Sequence, residues 1–108
     1  MELQRKIARR IRHIYRMKSV EAVSPATKDT PVNLICRDRN GSILYIGKGL
    51  ERNKDNWTIQ YSYDPEKNAR SAMKSIEGLS SERQMVRAVK KIVRGYPSGR
   101  GGMYGKNS

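Results

Sequence analysis

Leu3, Ile7, Ile11 and Ile14 recur every three or four residues, and this spacing predicts an amphipathic helix from residue 2 to about residue 18. Arg5, Arg9, Arg12 and Arg16 fall on the side opposite the isoleucines. The stretch 20–31 carries Ser24-Pro25, Thr27, Asp29-Thr30 and Pro31, and reads as a linker. Beyond it the period drops to two. Val32-Asn33-Leu34-Ile35-Cys36-Arg37-Asp38-Arg39 and Ser42-Ile43-Leu44-Tyr45-Ile46-Gly47 flank Asn40-Gly41, the strongest short-range signal for a β-hairpin. A two-residue type I′ turn there sets Asp38 opposite Ile43, Arg37 opposite Leu44, Cys36 opposite Tyr45 and Ile35 opposite Ile46. A third strand is expected over 57–63, where Trp57, Ile59, Tyr61 and Tyr63 alternate with small polar residues.

The aromatic side of that strand has two readings. It is either the core face on which the helices pack or a stacking platform for unpaired bases. The core is favoured, because a chain with so few apolar residues cannot spare its only aromatic stripe.

In the C-terminal half, Asp64-Pro65-Glu66 has the chemistry of a helix start, with Ala69, Ala72, Met73, Ile76 and Leu79 as its buried stripe and Gly78 as its stop. A further helix is expected from Ser81, which forms a capping box with Gln84, and its apolar stripe is Met85, Val89, Ile92 and Val93, with Val86 at the margin. Arg83, Arg87, Lys90 and Arg94 occupy its opposite side with the same four, three, four spacing as the N-terminal arginines. From Gly95 onward, glycine, proline, Arg100, Tyr96 and Tyr104 make a segment with no packing pattern. The expectation is an α+β domain over 1–94 with a flexible Gly/Arg/Tyr tail over 95–108. It comprises an N-terminal amphipathic helix, a three-stranded antiparallel meander and two C-terminal helices.

Charge changes the picture from fold to function. The 108 residues carry a formal net charge of +13 and 36% hydrophobic residues, with no phenylalanine. Residues 1–18 hold seven Lys/Arg against one acid, and residues 80–108 hold the same. The 61 residues between are nearly balanced, with nine against eight. The positive field therefore comes from the two ends, and the N-terminal arginine face is not balanced by i,i+4 pairs with acids. Such uncompensated cationic faces suit a polyanion.

Other chemistry is sparse. Cys36 is the single cysteine and His13 the single histidine, so neither a disulfide within the chain nor a cysteine or histidine metal cluster is expected, and no cofactor is implied. No apolar run approaches the roughly 18 residues of a membrane span, and the N-terminus lacks a secretory signal pattern. An intracellular location, cytoplasmic or nucleoid-associated, is expected. Gly47-Lys48-Gly49, with Arg52 and Lys54 following, offers glycines beside cations that suit a phosphate, without the spacing of a P-loop.

Ile43-Leu44-Tyr45-Ile46-Gly47-Lys48-Gly49 with Arg52 resembles the second motif of the GIY-YIG endonucleases, in which Tyr-Ile-Gly ends a hairpin strand and an arginine follows. The resemblance covers about 20 residues and implies catalytic roles for Tyr45 and Arg52 alone. The family's first-strand tyrosine has no counterpart in 32–36, and Met73 stands where its metal-binding glutamate would fall.

The functional expectation is a small, non-enzymatic nucleic-acid-binding protein, DNA or RNA, that contacts mainly phosphate. The residues expected to do so are Arg5, Arg9, Arg12, Arg16, Lys48, Arg52, Arg83, Arg87, Lys90, Arg94 and Arg100. Two alternatives stand beside it. One is a small phage- or plasmid-type protein that inhibits or assembles with an acidic protein or a ribonucleoprotein. The other is a divergent nuclease of the GIY-YIG type.

Overall fold

A computed structural model describes residues 2–64 and 73–95. The elements in chain order are α1 (Glu2–Arg12), β1 (Met17–Ala22), β2 (Val32–Asp38), β3 (Ile43–Lys48), β4 (Trp57–Ser62), β5 (Lys74–Leu79) and α2 (Glu82–Arg94). All five strands form one antiparallel sheet in sequence order. The domain is α+β, as expected, but the three-stranded meander with two C-terminal helices is incorrect. The sheet gains a strand at each edge, and one helix follows it.

The first added strand arises where the amphipathic pattern is cut short. α1 stops at Arg12 and tightens through two successive i to i+3 bonds, from His13 N–H to Arg10 O at 3.3 Å and from Ile14 N–H to Ile11 O at 3.0 Å. Arg16 then takes φ +70, the one positive φ of a non-glycine residue among the described residues, and Met17 begins β1. Met17 and Val20 continue the spacing of Ile11 and Ile14, so they look helical in sequence, yet they are buried from a strand. The expected linker at 20–31 therefore starts as sheet.

The second added strand replaces part of the helix expected after Asp64. Residues 65–72, including Ala69 and Ala72 of its stripe, lie outside the described residues. From Lys74 the chain is an edge strand paired with β4. Gly78, expected as a helix stop, instead takes φ +76 at a bulge between the pairs Trp57–Leu79 and Ile59–Ile76. Its N–H is received by Glu51 Oε2 at 2.8 Å.

The central hairpin forms as expected, but one residue out of the expected register. Arg37 faces Ile43, Cys36 faces Leu44, Ile35 faces Tyr45 and Leu34 faces Ile46. The turn has three residues, not two. Gly41 N–H bonds to Asp38 O at 3.2 Å, and Gly41 alone in the turn takes a positive φ, +89, where the expected turn needed Asn40 there as well. Asp38 decides between the two: its Oδ1 accepts the N–H groups of Asn40 and Ser42, both at 2.9 Å. An aspartate that binds the backbone two residues on favours this wider turn.

Both helices lie on the same face of the sheet, α1 over β1 and β2, α2 over β4 and β5. Between them and the sheet sit Ile7, Ile11, Leu34, Leu44, Ile46, Ile59, Met85 and Val89, all fully buried. Each such side chain contributes about 1.5–3 kcal/mol of transfer free energy. Trp57, 3% exposed, belongs to this core, and Tyr61 and Tyr63 pack at its margin. The aromatic side of β4 is thus the core face. Cys36 is also buried there, and burial pushes its thiol up to about 12, which keeps it protonated and unreactive.

The α2 start is close to expectation. Ser81 Oγ accepts Gln84 N–H at 3.1 Å, while Gln84 Oε1 reaches one residue further back than a standard capping box, to Ser80 N–H at 2.7 Å. Met85, Val86, Val89, Ile92 and Val93 are its buried residues. Among the described residues no helix is long and apolar enough to cross a membrane. The expected tail lies outside the described residues beyond Gly95.

Candidate nucleic-acid interface

Because each helix turns its isoleucine, valine and methionine side to the sheet, its opposite side faces away from the sheet. α1 carries Arg5, Arg9 and Arg12 there, and α2 carries Arg83, Arg87, Lys90 and Arg94, all exposed. Since both helices cover the same sheet face, both ladders leave the molecule on one side. Arg10 leans sideways from α1 and makes an ion pair with Glu82 at the start of α2, tying the two helices together. Glu82 is the one acid on α2, so this pairing removes it as a competitor for the ladder's cations.

The C-terminal turn of each helix reaches the same end of the sheet, beside the β2–β3 turn. A cleft of about 630 Å³ opens there. Its rim carries Arg10, Arg16, Lys90 and Arg94, together with His13 and Asn40, and among the described residues no carboxylate belongs to its lining. Ile14, Val86 and Val93 form its apolar base, and Tyr15 stands at its edge. Cations in a last helical turn are ordinarily favoured by the helix dipole, at about 0.3–1 kcal/mol each. That accounts for Arg94 on α2, but not for Arg16, which lies past the end of α1.

Arg16 is joined to the β2–β3 turn at two levels, through Arg39 and through Asn40. Arg39 N–H donates to Arg16 O at 2.8 Å, and Arg16 Nη1 donates to Asn40 Oδ1 at 3.4 Å. The Arg16 guanidinium also lies 5.4 Å from the centre of the Tyr15 ring. His13 Nδ1 lies 2.8 Å from Arg9 O, and since a carbonyl only accepts, Nδ1–H is the donor of this bond.

The eleven residues expected to bind phosphate separate into four groups. Arg16, Lys90 and Arg94 come together at the cleft. Arg5, Arg9, Arg83 and Arg87 line the outer helix faces; Arg12 does as well, but its Nη2 donates to Val20 O at 3.2 Å, so part of its donor capacity serves the α1–β1 connection. Lys48 and Arg52 lie at the far end of β3. Lys48 sits 5.9 Å from the centre of the Trp57 ring, Lys54 donates to Gly49 O at 3.2 Å, and Arg52 is exposed. Arg100 lies outside the described residues.

The glycines near Lys48 have a packing role. A Cβ on Gly49, which takes φ +93, would stand 2.1 Å from Asp29 O, so that glycine admits the 23–31 loop against β3.

No family model, curated protein or solved structure matches this chain. What the site does must therefore be argued from its own geometry. Tyr45 is half-buried on the sheet face away from the helices, in a depression of about 250 Å³ shared with Gln60, Glu51 and Glu77. Glu51 is already engaged: it accepts from Gly78 N–H, Asn56 Nδ2 and Thr58 Oγ1, and these donors hold its carboxyl below the usual range. Among the described residues no group of three or more His, Cys, Asp and Glu could hold a metal ion.

Sequence reasoning did not single out Arg10 or Tyr15, and it identified Asn40 only as part of the hairpin turn. Arg10 sits beside the isoleucine stripe, where only knowledge of the neighbouring helix reveals its direction. Tyr15 and Asn40 are 25 residues apart in sequence and line one cleft only because α1 ends early.

Proposed function

We propose that this protein is a nucleic-acid-binding module that grips the phosphate backbone with the outward side of its helical layer. One observation carries the proposal: two cationic ladders of matched spacing project from the same side of one sheet, and the acid on α2 is paired with Arg10. Backbone phosphate is the regular polyanion that fits such a surface, and each neutralised phosphate releases condensed counterion. Contacts of this kind position a protein without reading bases, so binding is broad in sequence. The cleft joining the two helix ends adds a concave site to an otherwise convex cationic surface.

The competing occupant is an acidic protein or a ribonucleoprotein docked on the same cations. Purification of the tagged protein at low salt, with and without nuclease treatment, distinguishes the two. Nucleic acid that copurifies and is lost with nuclease supports the proposal. A stoichiometric protein complex that survives nuclease, with no nucleic acid bound, contradicts it.

A further inference from the structure

We infer that the cleft between the C-terminal ends of α1 and α2 takes one unpaired nucleotide of a single strand, stacked on Tyr15 with its phosphate among Arg16, Lys90 and Arg94. The inference rests on the proposed nucleic-acid reading and deepens it by naming the form of nucleic acid preferred.

Three observations converge on this cleft. The first is its composition. Its apolar base of Ile14, Val86 and Val93 beneath Arg16, Lys90 and Arg94 suits a ligand that has both a flat apolar body and an anionic group. A volume of about 630 Å³ lies within the range of about 300–1,000 Å³ that small ligands occupy. A duplex cannot present a base there, since its bases are stacked and paired, whereas a single strand can.

The second is Tyr15. It is 79% exposed, the largest exposure of any large apolar side chain among those described as exposed. The Arg16 guanidinium at 5.4 Å leaves the remainder of the ring open to solvent. An exposed ring beside cations is the arrangement on which bases stack in single-strand binders, with arginine adding to the stack.

The third is the backbone at Arg16. Residues 14–17 form a tight turn closed by Met17 N–H to Ile14 O at 3.0 Å, and its third residue takes φ +70. Glycine or asparagine is the relaxed occupant of that position. Arginine is strained there, and strain of this kind is kept where a side chain has a task that glycine cannot perform. Here the strain carries the Arg16 guanidinium past the end of α1 to the cleft rim, where Asn40 Oδ1 holds one of its N–H groups.

Fluorescence anisotropy at low salt tests the inference, with labelled 12-nucleotide dT and rU strands and a 12-base-pair duplex as probes. The native protein is expected to bind at least one single strand more tightly than the duplex. Tyr15→Ala should weaken single-strand binding by about 5- to 100-fold, the range for loss of one base–aromatic stack, and leave duplex binding within about twofold. Arg16→Gly should keep or raise the melting temperature while weakening single-strand binding, a pairing of effects that a merely structural arginine would not give. Duplex binding that equals or exceeds binding of both single strands, or Tyr15→Ala and Arg16→Gly variants that bind single strands like the native protein, overturns the inference and leaves the proposed function standing. Absence of binding to all three probes overturns both.

Discussion

Asp38 and Ser42 close the central hairpin through two bonds between the same pair of residues. Asp38 N–H donates to Ser42 O at 3.2 Å, and Ser42 N–H donates back to Asp38 Oδ1 at 2.9 Å. Asp38 is buried, and its Oδ2 and the Ser42 hydroxyl have no hydrogen-bond partner among the described residues. The carboxylate is thus retained for the turn in spite of a desolvation cost. Asp38→Ala should destabilise the protein by about 2 kcal/mol, because it removes the acceptor of two backbone N–H groups. Asp38→Asn keeps the Oδ1 acceptor and should cost less. Urea unfolding of the two variants checks the ordering, and equal losses would show that the charge, not the acceptor, is what the turn requires.

Trp57 joins the two halves of the sheet's covered face, paired with Lys48 on one side and Leu79 on the other. Trp57→Ala should cost about 3 kcal/mol or more, as large-to-small changes in a packed core do. Iodide should quench the native tryptophan weakly compared with the urea-unfolded chain. Equal quenching in the two states would contradict the burial of Trp57.

Glu51 predicts a pH dependence whose sign is fixed. Donation from Gly78 N–H, then from Asn56 and Thr58, lowers its folded-state pKa below the ordinary 4.5. Its contribution to stability is therefore fully present above that value and is lost as the pH falls through the depressed folded value. The native protein should exceed Glu51→Gln in stability at pH 7, and the gap should narrow below about pH 4.5. Denaturant unfolding from pH 7 to pH 3 measures it, and a gap constant with pH would contradict the role of the carboxylate.

The central hairpin, the third strand and the last helix were legible in the sequence because each carries its own local signal. Asn40-Gly41 marks the turn, the period of two marks β4, and Ser81 with Gln84 marks the start of α2. The edge strands were not legible, for two different reasons. Met17 and Val20 satisfy helical spacing as well as a strand's, and the break that separates them from α1 is a positive φ at an arginine, a residue type that gives no hint of it. Ile76 and Leu79 likewise fit both templates across a bulge, and Gly78 serves the bulge where a helix stop was the simpler reading. The hairpin register failed by one residue because the choice between a two-residue and a three-residue turn rests on the Asp38 side chain.

The same limit governs the candidate site. Arg16 was identified as part of a helical ladder, but it reaches the cleft because the helix ends before it. The matched spacing of the two ladders was visible in sequence, and their shared side of the molecule was not, since that depends on both helices covering one sheet face.

The most direct test of phosphate binding by this surface is the salt dependence of nucleic-acid affinity, measured for the native protein and two double variants. If about five phosphates are neutralised, log affinity should fall with log salt at a slope of about −4. Arg5→Ala with Arg9→Ala, and separately Arg87→Ala with Lys90→Ala, should each lower affinity and reduce the slope by about 0.7–0.9 per lost contact. These side chains are exposed, so stability should change by no more than about 0.5 kcal/mol per substitution. Arg12 is left intact in both variants, because its bond to Val20 O would mix a folding effect into the result. A steep native slope that flattens in both stably folded variants is the predicted result; a flat native titration, or variants that bind with the native slope, would contradict the account.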